Sequence, residues 1–446
     1  MSSNGFIAGK LGNLKLFLRA LRYRNYRLFF IGQSISLIGT WMQQVAMSWL
    51  VYRLTGSALL LGVVGFTSQV PTFLVAPFAG VLADRWDRRR LLLFSQSLAM
   101  VQAFILAFFV LYGAIQVWHI ITLSVFLGIV NGFDIPARQS FVVDIVESKE
   151  DLGNAIALNS SMVNGARLIG PSIAGVLIAV LGEGVCFLAN GLSYLAVIAC
   201  LMAMRTKPRP ARGAKKPIHH ELREGFSYAL NFAPIRYLLL LLALVSLMGM
   251  PYNVLMPVFA KDILHGGPHT FGFLMTASGV GAFAGTMYLA SRKSVIGLGR
   301  IIAIASGVFG AAVAAFSLSR SIWVSVLFLL MAGFGIMTQI ASSNTILQTI
   351  VDDDKRGRVM SLFTMSFMGM TPFGSLIAGA MAGRIGAPNT LLLGGIACLA
   401  GSLFFASRLP SFRKSIRPIY TKMGIIPEMA TGIQTAAELT VPPEEQ

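Results

Sequence analysis

Apolar stretches long enough to cross a membrane recur along the whole chain, which has 446 residues. Hydrophobic residues make up 55% of it and charged residues only 12%, whereas about a quarter of an ordinary soluble domain is charged. Because a helix of about 20 apolar residues spans the hydrocarbon core of a bilayer, the sequence predicts an all-α integral membrane protein with twelve transmembrane helices. The predicted spans are 28–51, 58–81, 91–113, 117–143, 154–181, 185–204, 236–260, 271–291, 301–319, 322–349, 359–382 and 389–407.

The basic residues fall on one side of the predicted spans. The net charge is +18, which a nucleic-acid-binding protein could also carry. If the N-terminus lies in the cytoplasm, however, 31 of the 36 Lys and Arg residues lie in inside segments or toward the inside ends of spans, four occupy outside turns, and Arg167 lies in the middle of a span. This asymmetry follows the positive-inside rule. We therefore predict that both termini face the cytoplasm, that the chain contacts the lipid bilayer, and that no nucleic acid binds.

A polar stretch at 205–235 divides the spans into two groups of six. It begins with a basic, Pro-rich linker, and the helical spacing of apolar residues over 218–231 predicts an amphipathic helix at the membrane surface. The predicted organisation is an N-terminal cytoplasmic arm (1–27), a six-helix bundle (28–204), the cytoplasmic linker (205–235), a second six-helix bundle (236–408) and a cytoplasmic tail (409–446).

The two groups of spans are related by an internal repeat. Gly62 aligns with Gly272, and Gly175 aligns with Gly379, each at an offset that stays constant through its part of the chain. Two repeats of six spans around a central cavity are typical of transporters. The repeat therefore favours transport of a small-molecule substrate.

A dense run of charge separates the second and third spans. Residues 80–90 read Gly-Val-Leu-Ala-Asp-Arg-Trp-Asp-Arg-Arg-Arg. A glycine lets a neighbouring helix approach closely, and an acid at a helix end can face the positive N-terminus of another helix. We predict a cytoplasmic gate here; the alternative is that the basic residues only set the topology. The predicted gating residues are Gly80, Asp84, Arg85, Arg88, Arg89 and Asp144, of which Asp144 is expected to pair with Arg88.

The fifth span carries a run of small residues around a proline. Small residues at 166, 170 and 174 form a stripe along which another helix can pack closely. Pro171 leaves a backbone carbonyl unpaired and bends the helix. Gly170, Pro171 and Gly175 are the candidate functional residues of this run.

Three charged residues lie within the predicted spans: Asp134, Arg138 and Arg167. Each costs about 2.5–3.5 kcal/mol at the bilayer centre on insertion scales, so each needs a partner or water. The similar distance of Asp134 and Arg167 from the turn between spans 4 and 5 predicts a contact between them. Two interpretations remain open: a structural ion cluster that locks the two spans, or a site in which Asp134 takes a proton and the arginines meet an anionic substrate.

Uncharged polar residues at helical spacing are candidates for lining a substrate cavity. Together with the nearby Trp41 they suit a bulky amphipathic solute, although hydrogen bonding between helices is an equally simple interpretation. The candidates are Gln33, Thr40, Gln44, Asn164, Asn253 and Gln339.

The sequence holds no pattern for catalysis or for cofactor binding. No nucleotide-binding loop of the form Gly-x-x-x-x-Gly-Lys-Ser/Thr occurs, and the three cysteines lie singly in apolar segments. We therefore expect no enzymatic activity, no ATP drive within this chain, no metal site and no cofactor.

These motifs together resemble the major facilitator superfamily over about residues 15–410. The segment 80–90 resembles the signature between its second and third spans, with Asp87 where the family often has Gly. The Gly170-Pro171 segment resembles the signature of its antiporters, with Ala at 166 and 174. The runs at 21–30 and 131–139 are similar to the bacterial branch that holds the enterobactin exporter and macrolide efflux proteins.

The resemblance implies the major facilitator fold and a monomeric secondary transporter of the bacterial inner membrane that works by alternating access. It also implies that Asp84 faces span 11, which begins near Gly357, and that export of a drug or siderophore-like molecule is coupled to protons. An uptake carrier and a lipid flippase are the alternatives within transport. A non-transporting membrane receptor or scaffold is the alternative from another class.

Overall fold

Helices follow one another almost without interruption in the computed structural model, which describes residues 19–205, 228–229, 231–292 and 294–425. A short 3₁₀ helix, Arg19–Arg22, comes first. The long helices are α1 (Arg24–Thr55), α2 (Ala58–Arg85), α3 (Arg88–Leu111), α4 (Val117–Ile145), α5 (Lys149–Leu181), α6 (Glu183–Ala203), α7 (Ala233–Ile263), α8 (Pro268–Ala290), α9 (Leu298–Leu318), α10 (Ile322–Ile350), α11 (Lys355–Ile385) and α12 (Ala387–Lys422). Two of them are interrupted by π-helical turns, at Val245–Gly249 and Phe259–Ile263 in α7 and at Met365–Gly369 in α11.

Eleven helices in the described ranges, α2 to α12, are long and apolar enough to cross a membrane. The remaining long helix, α1, has 32 residues but is more polar, because it carries Gln33, Gln43 and Gln44. It packs against α5 and α6 inside the N-terminal half. The prediction of membrane spans is therefore confirmed for eleven helices, and a transmembrane course of α1 stays a prediction.

The two halves repeat one packing pattern. The second helix of each half packs against the fourth, and the third packs against the fourth and the sixth. The closest approaches repeat as well: a Cβ atom on Gly128 of α4 would lie 2.8 Å from the Ser68 carbonyl oxygen of α2. On Gly333 of α10 it would lie 2.0 Å from the Ser278 carbonyl oxygen of α8. The structure thus supports the internal repeat seen in the sequence.

The halves meet along two helix pairs, α2 with α11 and α5 with α8. In the first pair, a Cβ atom on Gly62 would lie 3.0 Å from the Cα atom of Gly379. In the second, a Cβ atom on Gly175 would lie 3.0 Å from the Cα atom of Gly272. These are the four glycines that the repeat aligned, so the two contacts are equivalent. Only glycine allows backbones to approach this closely.

The molecule has two ends, which the loops between helices define. One end, which we call the basic end, carries the loops at 86–87, 146–148, 291–297 and 351–352. The other, which we call the opposite end, carries the turns at 56–57, 112–116, 182, 264–267, 319–321 and 386. Both glycine contacts lie near the opposite end. There, the Trp49 ring of α1 also stacks on the Phe271 ring of α8, with 6.2 Å between centroids, and the Tyr52 hydroxyl hydrogen-bonds to the Asp262 carboxylate of α7.

At the basic end, the starts of α5 and α11 make no close approach to the other half. A Cβ atom on Gly153, at the start of α5, or on Gly357, at the start of α11, would meet no described atom within 4 Å. The described contacts therefore close the interface at the opposite end, and the starts of α5 and α11 leave it open at these two positions of the basic end.

The predicted linker helix and the predicted cytoplasmic tail stay predictions. The amphipathic helix predicted over 218–231 lies almost wholly outside the described residues. Helix α12 continues through Lys422 despite Pro410 and Pro418, so the predicted tail at 409–446 begins inside a helix. The apolar run ends near 408, but Phe412, Ile416 and Tyr420 stay buried at helical spacing and continue the packed face beyond the membrane-length stretch.

Enlarging Gly379 will open the opposite end. Its new Cβ atom would lie 2.7 Å from the Ala58 carbonyl oxygen and 2.9 Å from the Gly62 Cα atom. Overpacking of this kind costs about 1–3 kcal/mol, which changes a conformational equilibrium by roughly tenfold or more. We expect Gly379→Val to populate a state with the opposite end apart, whereas Gly383→Val, one turn later where no atom lies within 4 Å, will not.

Electron–electron double resonance between spin labels on Tyr112→Cys and Ser321→Cys measures this separation in a background without the native cysteines. Both positions are exposed at the opposite end, one in each half. A distance distribution of Gly379→Val that matches that of Gly383→Val would contradict the assignment of this contact as the closing point.

Candidate functional site

A buried carboxylate forms the centre of a polar cluster in the N-terminal half. Asp134 of α4 is only 5% exposed. Its Oδ1 atom accepts hydrogen bonds from Ser95 Oγ at 2.9 Å and from Gln96 Nε2 at 2.7 Å, both on α3. One helical turn further along α4, Arg138 Nε lies 3.6 Å from Asp134 Oδ2. The Arg138 guanidinium also donates to Gln33 Oε1 of α1 at 3.4 Å, so the cluster joins three helices.

A small cavity lies beside this carboxylate. Its volume is about 50 Å³, which is enough for a few water molecules and far too little for an organic solute. Two atoms of its lining, Gln33 Nε2 and Gln96 Oε1, are buried and have no hydrogen-bond partner within the described ranges. A donor and an acceptor therefore point at water-sized space next to Asp134. The lining residues include Ser36, Thr40, Asn131 and Tyr194.

The predicted contact between Asp134 and Arg167 is wrong. Helix α4 packs against α2 and α3, whereas α5 packs against α1 and α8. Helices α4 and α5 follow each other in the chain but pack mainly against other helices, so equal depth does not bring the two side chains together. Arg167 instead places its guanidinium carbon 5.7 Å from the centre of the Trp41 ring.

The six predicted cavity residues lie in different surroundings. Gln33 and Gln339 are 1% and 0% exposed, so they belong to the interiors of the two halves. The hydroxyl of Thr40 and the amide groups of Asn164 and Asn253 donate to backbone carbonyls of their own helices. Gln44 is exposed, three residues beyond Trp41. Packing between helices inside the two halves thus accounts for Gln33 and Gln339, which are two of the six.

The C-terminal half has a polar cluster at the equivalent place, without charge. Gln339 occupies the position in α10 that Asp134 occupies in α4, since both helices have 29 residues and the two side chains are equally far from the start. Neither the Oε1 nor the Nε2 atom of Gln339 has a partner among the described atoms. The hydroxyls of Thr338, Ser342 and Ser343 beside it are buried and unpartnered as well. The sequence analysis missed this equivalence, although the equal lengths of the two helices indicate it.

Arginines of the 80–90 segment bind helices within the N-terminal half. Arg88 donates to Asp144 Oδ2 at 2.7 Å, which confirms the predicted pair and joins α3 to the end of α4. Arg89 donates to the carbonyl oxygens of Leu201 and Met202 at 2.7 and 2.8 Å, near the end of α6. These two side chains therefore support the basic ends of three helices.

Asp87 has a local role that the sequence analysis did not assign. Its carboxylate accepts a hydrogen bond from the Arg90 backbone N–H at 3.0 Å and so caps the N-terminus of α3. The backbone at 80–85 is helical, but its side chains lie outside what the structure describes. The roles predicted for Gly80, Asp84 and Arg85 therefore stay predictions.

The small residues of α5 pack against helices on two sides. A Cβ atom on Gly170 would lie 2.5 Å from Trp41 Cβ of α1. The Pro171 carbonyl oxygen would lie 2.6 Å from a Cβ atom on Gly272, and Gly175 meets the same glycine. The close packing predicted for this run is confirmed, and its antiporter role stays a prediction.

The start of α5 is fixed to the segment before α1. Asp151 is fully buried and binds both Arg19 and Arg22, with Arg22 at 2.6 Å, and the Tyr23 hydroxyl donates to it at 2.6 Å. The sequence analysis missed this cluster, because nothing in the chain marks which arginine of the basic arm meets an acid 130 residues away.

The chain is similar in sequence to known transporters. A family model described as a transmembrane secretion effector matches residues 17–424. The staphyloferrin A transporter of Staphylococcus aureus is 27% identical over 401 residues, which cover 86% of this chain and 96% of that protein. Macrolide efflux protein A of Streptococcus pyogenes is 22% identical over 392 residues, covering 85% and 96%. The multidrug efflux pump Tap of Mycolicibacterium fortuitum is 24% identical over 361 residues, covering 78% and 87%.

Solved structures share the fold. An inward-facing, occupied form of a bacterial homolog to the human lysosomal transporter Spinster superposes with a TM-score of 0.69 at 14% identity, covering 88% of this chain and 98% of that one. A mutant of the peptide transporter POT superposes with a TM-score of 0.69 at 12% identity, covering 88% and 95%. At these identities the likeness concerns the fold alone.

Breaking the pair of Arg88 and Asp144 will destabilise the N-terminal half. Both side chains are about four-fifths buried, at 18% and 19% exposure, so the pair is worth more than an exposed one. We expect Arg88→Ala and Asp144→Ala each to lower the free energy of unfolding by about 1 kcal/mol, with the double variant less destabilised than the sum. Thermal unfolding in detergent measures this, with Arg90→Ala, an exposed neighbour, as the control. Strictly additive losses would contradict a direct interaction.

Proposed function

The chain belongs to the transmembrane secretion effector family of the major facilitator superfamily, and we propose that it exports a small organic molecule by secondary active transport. The observation that carries this proposal is the interface between the halves. It is closed at the opposite end by two equivalent glycine contacts and open at the basic end. The names of the relatives, which speak of siderophore transport and of macrolide and multidrug efflux, support export of a drug or siderophore-like solute.

The symmetry of that interface supports alternating access. Helices α2 and α8 are equivalent in the repeat, as are α5 and α11, so each contact between the halves exists twice. Rocking one half against the other opens the opposite end as the basic end closes. The glycine contacts must then separate, and the starts of α5 and α11 must approach the other half.

The orientation rests on the loops. We place the basic end in the cytoplasm, because it carries most of the Lys and Arg residues. Helix α1 then crosses the membrane as the twelfth span, since its 32 residues exceed the length that a bilayer needs. Both termini lie in the cytoplasm of a monomer in the bacterial inner membrane, and the described conformation faces inward.

Asp134 is the proposed proton carrier. Its carboxylate lies in space large enough for water but not for substrate, so the proton and the solute occupy separate places. Protonation would remove the negative charge that holds Ser95, Gln96 and Arg138. Arg138 would then be free to change its contact with Gln33 of α1. The proton would in this way alter how α1 packs against α3 and α4.

The segment 80–90 would act as the cytoplasmic gate when the basic end closes. Arg88 and Arg89 hold the start of α3 against the ends of α4 and α6, and Asp84 is the second-last residue of α2, just before α3. Helix α2 is the partner of α11. Closure would therefore bring Asp84 to the positive N-terminus of α11, near Gly357.

Transport into everted membrane vesicles tests direction and coupling together. We expect vesicles that contain the protein to accumulate a radiolabelled macrolide or an iron-free siderophore when they are energised, and to stop when a protonophore is added. Uptake equal to that of vesicles without the protein rules out export of these solutes. Uptake that a protonophore leaves unchanged rules out proton coupling.

Asp134→Asn will uncouple transport from the proton gradient. The amide keeps the size of the side chain but cannot take up a proton, so we expect residual transport in the same vesicles to lose its sensitivity to the protonophore. Glu147→Gln is the matched control, because Glu147 is exposed just beyond the end of the same helix. Normal protonophore sensitivity of Asp134→Asn would refute the assignment. Loss of the folded protein, judged by gel filtration, would favour the structural interpretation.

Asp84→Asn will slow transport without affecting membrane insertion. A carboxylate at a helix N-terminus contributes about 0.3–1 kcal/mol, so its loss should lower the transport rate roughly two- to fivefold. Asp87→Asn makes the same chemical change three residues later and keeps the helix cap, so it should transport normally. Equal rates for wild-type protein and Asp84→Asn at equal expression would argue against the gate.

A further inference from the structure

Arg167 is a charged side chain in the middle of a membrane-spanning helix, and the described part of the chain supplies no counterion for it. It lies in α5, about halfway between the ends of that helix. Among the described residues it makes no ion pair, and its one recorded contact is with the Trp41 ring. Arg138, the other arginine within the predicted spans, is paired with Asp134. Only one of the two arginines is therefore neutralised by the protein.

The position of Arg167 is between the halves. Helix α5 packs against α1 of its own half and against α8 of the other half. At Arg167 itself the backbone carbonyl oxygen would lie 3.4 Å from a Cβ atom on Gly279 of α8. Two residues earlier, a Cβ atom on Gly165 would meet no described atom within 4 Å. The residue therefore sits where the closed part of the interface gives way to open space.

The stacking on Trp41 leaves the hydrogen-bonding edge of the guanidinium available. A cation over an aromatic ring uses its face, whereas the N–H donors of arginine point outward in its plane. Arg167 uses none of them on a described acceptor. A planar fork of free N–H donors fits a carboxylate, which accepts two parallel hydrogen bonds.

We propose that Arg167 and Trp41 form the recognition site for an amphipathic organic anion, whose carboxylate binds Arg167 and whose apolar body packs beside Trp41. The inference rests on the proposed transport function and names the class of its substrate. Exposed Gln44 and half-buried Asn164 lie within one turn of Trp41 and Arg167 on their helices and can meet further polar groups of the ligand.

Charge neutralisation gives this site a role in the transport cycle. When the basic end closes, the open space beside Arg167 is lost and the guanidinium loses its water. A bound carboxylate would replace that water, whereas the empty site would bury a lone charge, which is unfavourable. The loaded carrier therefore closes more readily than the empty one.

Binding of a matched pair of probes tests the proposal. The probes are 2-naphthoate and 2-naphthamide, which share an aromatic body and differ in charge, titrated calorimetrically into the full-length protein in lipid nanodiscs. We expect the wild-type protein to bind the carboxylate at least tenfold more tightly than the amide. Arg167→Gln should lose this preference, and Arg167→Lys should keep part of it. Arg384→Gln, which removes an exposed charge at the opposite end, should behave as wild type.

Three results would overturn the site. They are equal affinity for the two probes, no binding of the carboxylate by a monodisperse wild-type protein, or an unchanged preference in Arg167→Gln. Because the measurement is made at equilibrium, it is independent of the vesicle assay. Anion binding without export would contradict the proposed function but not the site, and export without anion binding would contradict the site alone.

Discussion

Backbone contact between glycines holds the two halves of this protein together. Gly62 meets Gly379 and Gly175 meets Gly272 at distances that leave no room for a side chain. Contacts of this kind consist of many weak dispersion interactions and no charge, so no ion pair breaks when these glycines separate. Their place near one end decides which end is open. Everything that we propose about access to the interior depends on that geometry.

Charge is distributed unequally over two halves that otherwise repeat each other. The equivalent positions of α4 and α10 carry Asp134, which can change its charge, and Gln339, which cannot. Both side chains are buried, and both clusters contain polar atoms without a partner among the described residues. Under the proposed proton coupling, a change of protonation would therefore act on the packing of the N-terminal half alone.

The sequence was most informative where the chemistry of a residue type by itself restricts where the residue can lie. Apolar length located eleven helices, the repeat predicted which glycines meet, and the pair of Arg88 and Asp144 followed from charges at neighbouring helix ends. It failed where the answer depends on which helices pack. Asp134 was expected to meet Arg167 because they lie at similar depth in consecutive helices, yet α4 and α5 pack mainly against other helices. The sequence did not predict the burial of Asp151 by the segment before α1 for the same reason, because that contact also depends on which segments pack together.

The two arginines in the span interiors differ in a way that would link the proposed proton site to the proposed substrate site. Arg138 is neutralised by Asp134 of the protein itself, whereas among the described residues the Arg167 guanidinium has only the face of Trp41. Protonating Asp134 would leave Arg138 without its counterion, as Arg167 is without one in the empty carrier. Both arginines lie against α1, through Gln33 and through Trp41. If both proposals hold, α1 is the element on which loss of one counterion and binding of another act together.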